Sequence, residues 1–298
     1  MVRPFVVAAA AYRVEALQNW DRYVAKISSW VGEAAQAQAR LAVFPEYGAM
    51  ELASLDPPTM GDLQGSIEFV SSLLPQVDAL HSELAARHQM HILAASAPWE
   101  ASDGSFRNRA RLFAPSGAVG VQDKLIMTRF EREEWTITGG GGLSVFETDI
   151  GTIGIAVCYD AEFPLIARAL IEAGADILLV PSCTDSLAGY SRVKVGARAR
   201  ALEGQCFVVQ SPTVGEAPWS PAIDINCGAA GIFGPPDKGF PDNGVLARGE
   251  LGTPGWTFAT IDLEQVARVR REGSVLNFAH WAEQPGIGGG FSVARVRL

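Results

Sequence analysis

The sequence predicts an α/β fold whose strands are covered on both faces, and three observations carry that expectation. Short apolar runs recur along the whole chain, and several are apolar at every position. The stretches between them repeat apolar residues at intervals of three and four, as helices do. No repeat, low-complexity tract or break in composition divides the 298 residues, so one domain is the economical reading.

The first run, 5–11, reads Phe-Val-Val-Ala-Ala-Ala-Ala, a strand with no polar face. With Met1-Val2-Arg3-Pro4 before it, this segment superficially resembles a secretory signal. Its minimal apolar core and Pro4 make a first strand the better reading. Trp20, Tyr23, Val24, Ile27, Val31 and Ala34 then form one apolar helix face before the strand at 41–44. Pro75 is expected to open the next helix, because proline suits the first helical position. Val77, Leu80 and Leu84 make its stripe ahead of a strand at 91–95. Strands follow at 112–114 and 153–158. Pro164 likewise opens a helix carrying Leu165, Ala169 and Leu170, and Gly174 closes it. The run 177–180, Ile-Leu-Leu-Val, leaves neither face for water. A helix over 190–204 sets Val193, Ala197 and Ala201 on one side, with Arg192, Arg198 and Arg200 around it. A strand at 207–210 comes next. Gly and Pro are dense from 215 to 255, which reads as long ordered loops before a last strand at 257–261.

Forty-eight per cent hydrophobic and 19 per cent charged residues are ample for a sizeable core. Lys and Arg number 24 against 33 Asp and Glu, a net charge of −9. That balance argues against a general nucleic-acid binder or a basic membrane-surface protein, both of which need cationic fields. It leaves room for a local basic pocket. No apolar run approaches the length of a bilayer span. The four cysteines, Cys158, Cys183, Cys206 and Cys227, form no Cys-x-x-Cys and have no nearby His pair. A metal site, a redox dithiol and a disulfide framework therefore all lack their spacing signal. Cysteines of this kind are ordinarily small buried groups in a reducing compartment, so a cytoplasmic protein is expected.

Three residues stand where chemistry is often placed. Cys158 ends the run Gly154-Ile155-Ala156-Val157 and precedes Tyr159-Asp160-Ala161-Glu162-Phe163-Pro164. A thiol at a strand-to-helix turn lies near backbone N–H groups able to meet a developing oxyanion. Glu46, in Leu41-Ala42-Val43-Phe44-Pro45-Glu46-Tyr47, is a carboxylate just past a buried strand, fixed by a proline and placed to take a thiol proton. Lys124, in Gly120-Val121-Gln122-Asp123-Lys124-Leu125, could hold an oxyanion and lower the pKa of a nearby thiol. Each alone reads equally well as a structural residue: a buried cysteine, a solvated glutamate, a lysine paired with Asp123.

Taken in order, Pro-Glu, then the strand-end lysine, then Cys-Tyr-Asp-x-x-Phe-Pro resembles the nitrilase (carbon–nitrogen hydrolase) superfamily. The likeness runs from Phe5 to about Leu263. It takes in 177–181 with Ser182 and the stretch Ala199-Arg200-Ala201-Leu202-Glu203. It implies a four-layer αββα sandwich, usually dimeric, over residues 1–263, with 264–298 as a C-terminal tail packing on the partner. It implies a Glu46-Lys124-Cys158 triad, no cofactor, no metal, and a small-molecule amide as substrate. A second active-site glutamate often follows the lysine in this superfamily. Glu131, Glu133 and Glu134 compete for that place, with Glu131 preferred because seven residues from the lysine is a common spacing. Tyr159 would lend its backbone N–H to the oxyanion, while Glu162, Cys183 and Asp185 are expected near the pocket.

The chain departs from the pattern in two places. Leu125-Ile126-Met127 stands where relatives often carry x-His-Leu, and Glu162 where many amidases carry arginine. Tyr-Asp after the cysteine favours amides over nitriles. Nitrile hydrolysis, N-acyl transfer and a ligand-binding relative without catalysis are the alternatives on the same residues. A papain-like enzyme would pair the cysteine with His81, His88, His91 or His280. The first two belong to a helix pattern, the third opens a strand, and His280 lies in the tail. Phe278, Trp281 and Phe291 there are large apolar groups in need of a surface, so part of 268–298 is expected to cross to a second copy.

Overall fold

A computed structural model of the chain describes residues 2–284 and Arg295. Its centre is the strand Phe5–Arg13, whose alternation decides the layering. Phe5, Val7, Ala9 and Ala11 point into one core with Leu41, Val43, Leu93 and Leu112. Ala8, Ala10 and Tyr12 point into another with Ala42, Phe44, Ile92 and Ala94. An apolar residue at every position is thus consumed on two faces, as the period of two requires.

Around this strand the sheet runs in the order Val119–Asp123, Phe106–Phe113, His91–Glu100, Ala39–Val43, Phe5–Arg13, Phe207–Glu216, Ile177–Ser182, Gly151–Ile155, Val145–Thr148. Two halves meet at its middle. The start of Phe5–Arg13 pairs antiparallel with Gly255–Ile261, and its end pairs parallel with Phe207–Glu216 at Tyr12↔Thr213 and Arg13↔Val214. The far edges come back together: a Cβ on Gly120 would fall 2.4 Å from the Phe146 ring. Helices Trp20–Gln36 and Leu63–His88 cover the outside of one half, Pro164–Glu172 and Leu187–Gly204 the outside of the other. This is the four-layer αββα arrangement.

Most expected elements stand where the periodicity places them, but the helix expected to open at Pro75 opens twelve residues earlier in the chain. Asp62 caps it by accepting from the Gly65 N–H at 2.5 Å, and Pro75 lies inside Leu63–His88. An interior proline forfeits one hydrogen bond and costs about 3 kcal/mol. Here Ile67, Val70 and Leu74 before it and Val77, Leu80 and Leu84 after it are buried in the same core, and that continuous stripe outweighs the break. The strand expected over 153–158 ends at Ile155. Three short strands, Ile225–Asn226, Gly231–Phe233 and Val245–Arg248, interrupt the loops read between 215 and 255. Pro164 opens its helix as expected.

The segment 264–298, read as a tail, begins with helix Leu263–Glu272, which packs on its own chain. Val266 and Val269 are buried in the core, and Arg270 reaches Asp176 at 3.1 Å and the Gly204 carbonyl at 3.2 Å. Phe278 and Trp281 also find a surface within the chain, beside the Arg168 guanidinium. Phe291 lies outside the described residues. Among the described residues, no helix is long and apolar enough to cross a membrane.

Candidate active site

Three turns, each just past the end of a strand, bring Glu46, Lys124 and Cys158 together. Glu46 follows Ala39–Val43, Lys124 follows Val119–Asp123, and Cys158 opens the tight turn Cys158–Glu162 after Gly151–Ile155. Cys158 has φ 48° and Tyr47, next to Glu46, has φ 53°. Left-handed backbone at non-glycine residues costs of order 1–3 kcal/mol each and persists where the surroundings over-determine it. At Cys158 the surroundings are close. Arg200 Nη1 holds the Ala161 carbonyl at 3.2 Å, and a Cβ on Gly196 would lie 2.9 Å from that same oxygen. Helix Leu187–Gly204 can press on the turn only because residue 196 is glycine.

Lys124 is the hub. Its ammonium lies 2.8 Å from Glu46 Oε1 and 2.6 Å from Glu131 Oε2, and all three side chains are 3% exposed or less. Glu46 Oε1 also accepts from Asn108 Nδ2 at 2.9 Å, and its Oε2 accepts from the Cys183 N–H at 2.9 Å. The Cys183 carbonyl lies 3.8 Å from Cys158 Sγ. Glu131 sits in a capping box with Thr128 and accepts from the Tyr47 hydroxyl at 2.8 Å. Asp160 accepts from the Leu125 and Ile126 N–H groups at 2.9 and 2.8 Å, which staples the lysine segment to the cysteine turn.

Burial pushes the Glu46 carboxyl up to about 7, with the Lys124 charge opposing and the Glu131 charge adding to the rise. Burial acts on Glu131 in the same direction. There the Lys124 ammonium and the bonds from Thr128 and Tyr47 outweigh it and hold the acid below its ordinary range. Burial works against the Lys124 ammonium, but the two carboxylates win and keep it charged far into alkali. Cys158 goes the other way from the expected lowering. Burial, then the Glu46 charge, pushes its thiol well above the usual value, and Lys124 only partly offsets them. The cluster thus holds a neutral thiol, a carboxyl balanced near neutrality and a permanent cation in one dry site. Such a set can transfer a proton from sulfur to carboxylate as the sulfur attacks.

The structure separates the remaining candidates. Glu131 reaches Lys124; Glu133 and Glu134 are exposed, with Glu133 paired to Arg129 on the surface. Tyr159 is half-buried, edge-on to Phe163. Glu162 is half-buried and faces Arg192 at 3.7 Å. Cys183 joins through its backbone, while its own thiol turns to Asn226 Oδ1 at 3.5 Å. Asp185 does not join: it is exposed, bonded to the Ser186 hydroxyl at 2.9 Å. Among the described residues, no group of three or more His, Cys, Asp or Glu is arranged to hold a metal ion.

A family model described as carbon-nitrogen hydrolase matches residues 7–271. The chain belongs to that family. A probable hydrolase, YhcX, of Bacillus subtilis (strain 168) is 32% identical over 272 residues, which is 91% of this chain and 52% of that protein. The chain therefore spans about half the length of that relative. The deaminated glutathione amidase of Mus musculus is 27% identical over 276 residues, 88% of this chain and 80% of the relative. In fold, the crystal structure of a carbon-nitrogen hydrolase from Helicobacter pylori G27 matches with a TM-score of 0.72 at 21% identity, covering 91% of this chain and 93% of that one.

The four histidines take other places in the fold. His81 is buried against the Val77 carbonyl at 2.8 Å, and burial lowers its pKa to about 4. His91 meets Asp149 at 2.6 Å, His280 faces Glu283 at 4.0 Å, and His88 is half-buried near the end of its helix. Sequence reasoning missed Asn108, Ser96 and Tyr47, and it gave Asp160 no role. A signal for Asn108 existed: in Phe106–Phe113 it shares a face with Ala110 and Leu112, an amide where the alternation asks for an apolar group.

Proposed function

We propose that the chain hydrolyses a small non-peptide amide through a thioester on Cys158. The observation that supports this best is the ammonium of Lys124 held between two buried carboxylates beside the Cys158 turn. In this reading Glu46 takes the thiol proton as sulfur attacks the carbonyl carbon. Lys124 and the Tyr159 N–H receive the oxyanion, a donor pair of the kind that acts strongly in a dry site. The C–N bond breaks as Glu46 returns the proton to the departing ammonia or amine. Water, deprotonated by the same carboxylate, then adds to the thioester, and the acid leaves as the thiol reforms. Glu131 keeps Lys124 charged and in place. No step calls for a cofactor.

The four cysteines are unpaired, which supports a reducing compartment, the cytoplasm. Leu165, Leu187, Val195 and Leu202 stand exposed on the neighbouring helices Pro164–Glu172 and Leu187–Gly204, which supports pairing with a second copy. Sedimentation at micromolar concentration should show a dimer, and a monomer would count against it.

The function is tested by a screen of small amides, carbamoyl compounds, ω-amides and nitriles, reading ammonia, with hydroxylamine added to trap acyl transfer. Release of ammonia from amides, a covalent adduct on Cys158 by mass spectrometry, and an inert but folded Cys158→Ala variant are expected. Turnover near wild type in Cys158→Ala would overturn the assignment.

A further inference from the structure

A carboxylate offers about four lone-pair directions, and the surroundings of Glu46 fill all but one. Oε1 accepts from Lys124 at 2.8 Å and from Asn108 at 2.9 Å. Oε2 accepts from the Cys183 N–H at 2.9 Å, and the open direction is on this second oxygen. Oε2 and the thiol share a neighbour, because the residue that donates to Oε2 also places its carbonyl 3.8 Å from Cys158 Sγ.

Asn108 is fully buried, and its amide could present either end to Glu46. Ser96, equally buried, biases the choice. The Ser96 hydroxyl accepts the Tyr47 N–H at 3.0 Å and spends its single proton on Asn108 Oδ1 at 2.6 Å. With Oδ1 committed, Nδ2 is the end that faces the carboxylate. The reversed amide would set oxygen against oxygen at Oε1.

We infer that Ser96 and Asn108 are positioning residues for the general base, reserving Glu46 Oε1 as an acceptor so that the proton leaving Cys158 is received by Oε2. The inference rests on the reading of Glu46 as the base. The atoms balance as before: the S–H bond breaks, an Oε2–H bond forms, and the same proton passes from Oε2 to the leaving amine. Asn108 donates to the ionised carboxylate, so it also holds down the pH at which Glu46 becomes competent.

The test needs no knowledge of the substrate. Alkylation of Cys158 by iodoacetamide, followed against pH, should show an inflection at about 7 in the wild type, where Glu46 titrates. Asn108→Leu removes the donor, and the inflection should climb by about one to two pH units, the size of a lost hydrogen bond to a charged group. Ser96→Ala should move it the same way by less, because the amide is no longer held one way round. If Asn108 only packs the interior, the rate falls by one factor at every pH and the inflection stays. That result in the folded variants overturns the inference. Should Asn108→Leu fail to fold, Ser96→Ala decides alone, since the Ser96 hydroxyl reaches Glu46 through Asn108. Glu46→Gln separates the two readings. An inflection that survives in it puts the base elsewhere and removes the proposed mechanism. One that vanishes in Glu46→Gln yet stands still in both other variants refutes the relay alone.

Discussion

Replacing Lys124 by methionine keeps the length of the side chain and deletes its charge, and the structure says what this leaves behind. Glu46 and Glu131 lose the cation at 2.8 and 2.6 Å and remain as two buried acids with no counter-ion. Removing one partner of a buried pair costs about 3–5 kcal/mol, which for a domain of this size lowers the melting temperature by roughly 6–20 °C. The loss should depend on pH with a definite sign. In the wild type, Glu131 is held below its ordinary range, so its contribution is present above the unfolded carboxylate pKa and fades as pH falls through the folded one. In Lys124→Met both acids are pushed up, so the folded variant gains relative stability on protonation. The gap between the two proteins should therefore be widest at neutral pH and close in acid. Loss of an oxyanion donor adds about a hundredfold to a thousandfold in turnover. Lys124→Arg should not restore it, because a forked guanidinium cannot take an ammonium's compact place between two carboxylates. Calorimetry at two pH values beside single-turnover kinetics makes the measurement. A Lys124→Met protein with unchanged melting and unchanged alkylation of Cys158 would refute the reasoning.

The other expectations follow from the same cluster. Because burial pushes Glu46 up to about 7, kcat/KM should fall as pH drops through that value and the base protonates, a limb that Glu46→Gln should abolish. Glu131→Gln retains the capping box with Thr128 but loses the negative charge that faces Lys124, so activity should fall by about ten- to a hundredfold with the fold intact. Glu133→Gln, on the surface with Arg129, should leave activity unchanged, and equal losses in these two variants would contradict the assignment. Replacing His81, His88, His91 and His280 singly by Gln should keep turnover within about tenfold, less than removal of a general base costs. A larger loss at His280 alone, in a protein of unchanged assembly, would reopen a cysteine–histidine mechanism.

By itself the sequence determined the central strands and their double covering, because side-chain alternation is a local property that each segment carries alone. It also marked Glu46, Lys124 and Cys158, not one by one but through the order in which Pro-Glu, the lysine and Cys-Tyr-Asp-x-x-Phe-Pro follow one another. Helix limits were less legible: Pro75 reads as a start, and only burial of the stripe on both sides of it carries the helix through. The choice among Glu131, Glu133 and Glu134 was open in sequence because spacing along a chain does not say which carboxylate turns inward. The fold turns Glu131 toward Tyr47 and Lys124 and leaves the other two in water. Asp185 shows the converse, a residue that follows a central strand and still faces solvent. The protonation of the site was decided by tertiary structure alone. Glu46 and Lys124 are 78 residues apart in the chain and 2.8 Å apart in space, and a pKa depends on that distance and on burial, which no local pattern encodes.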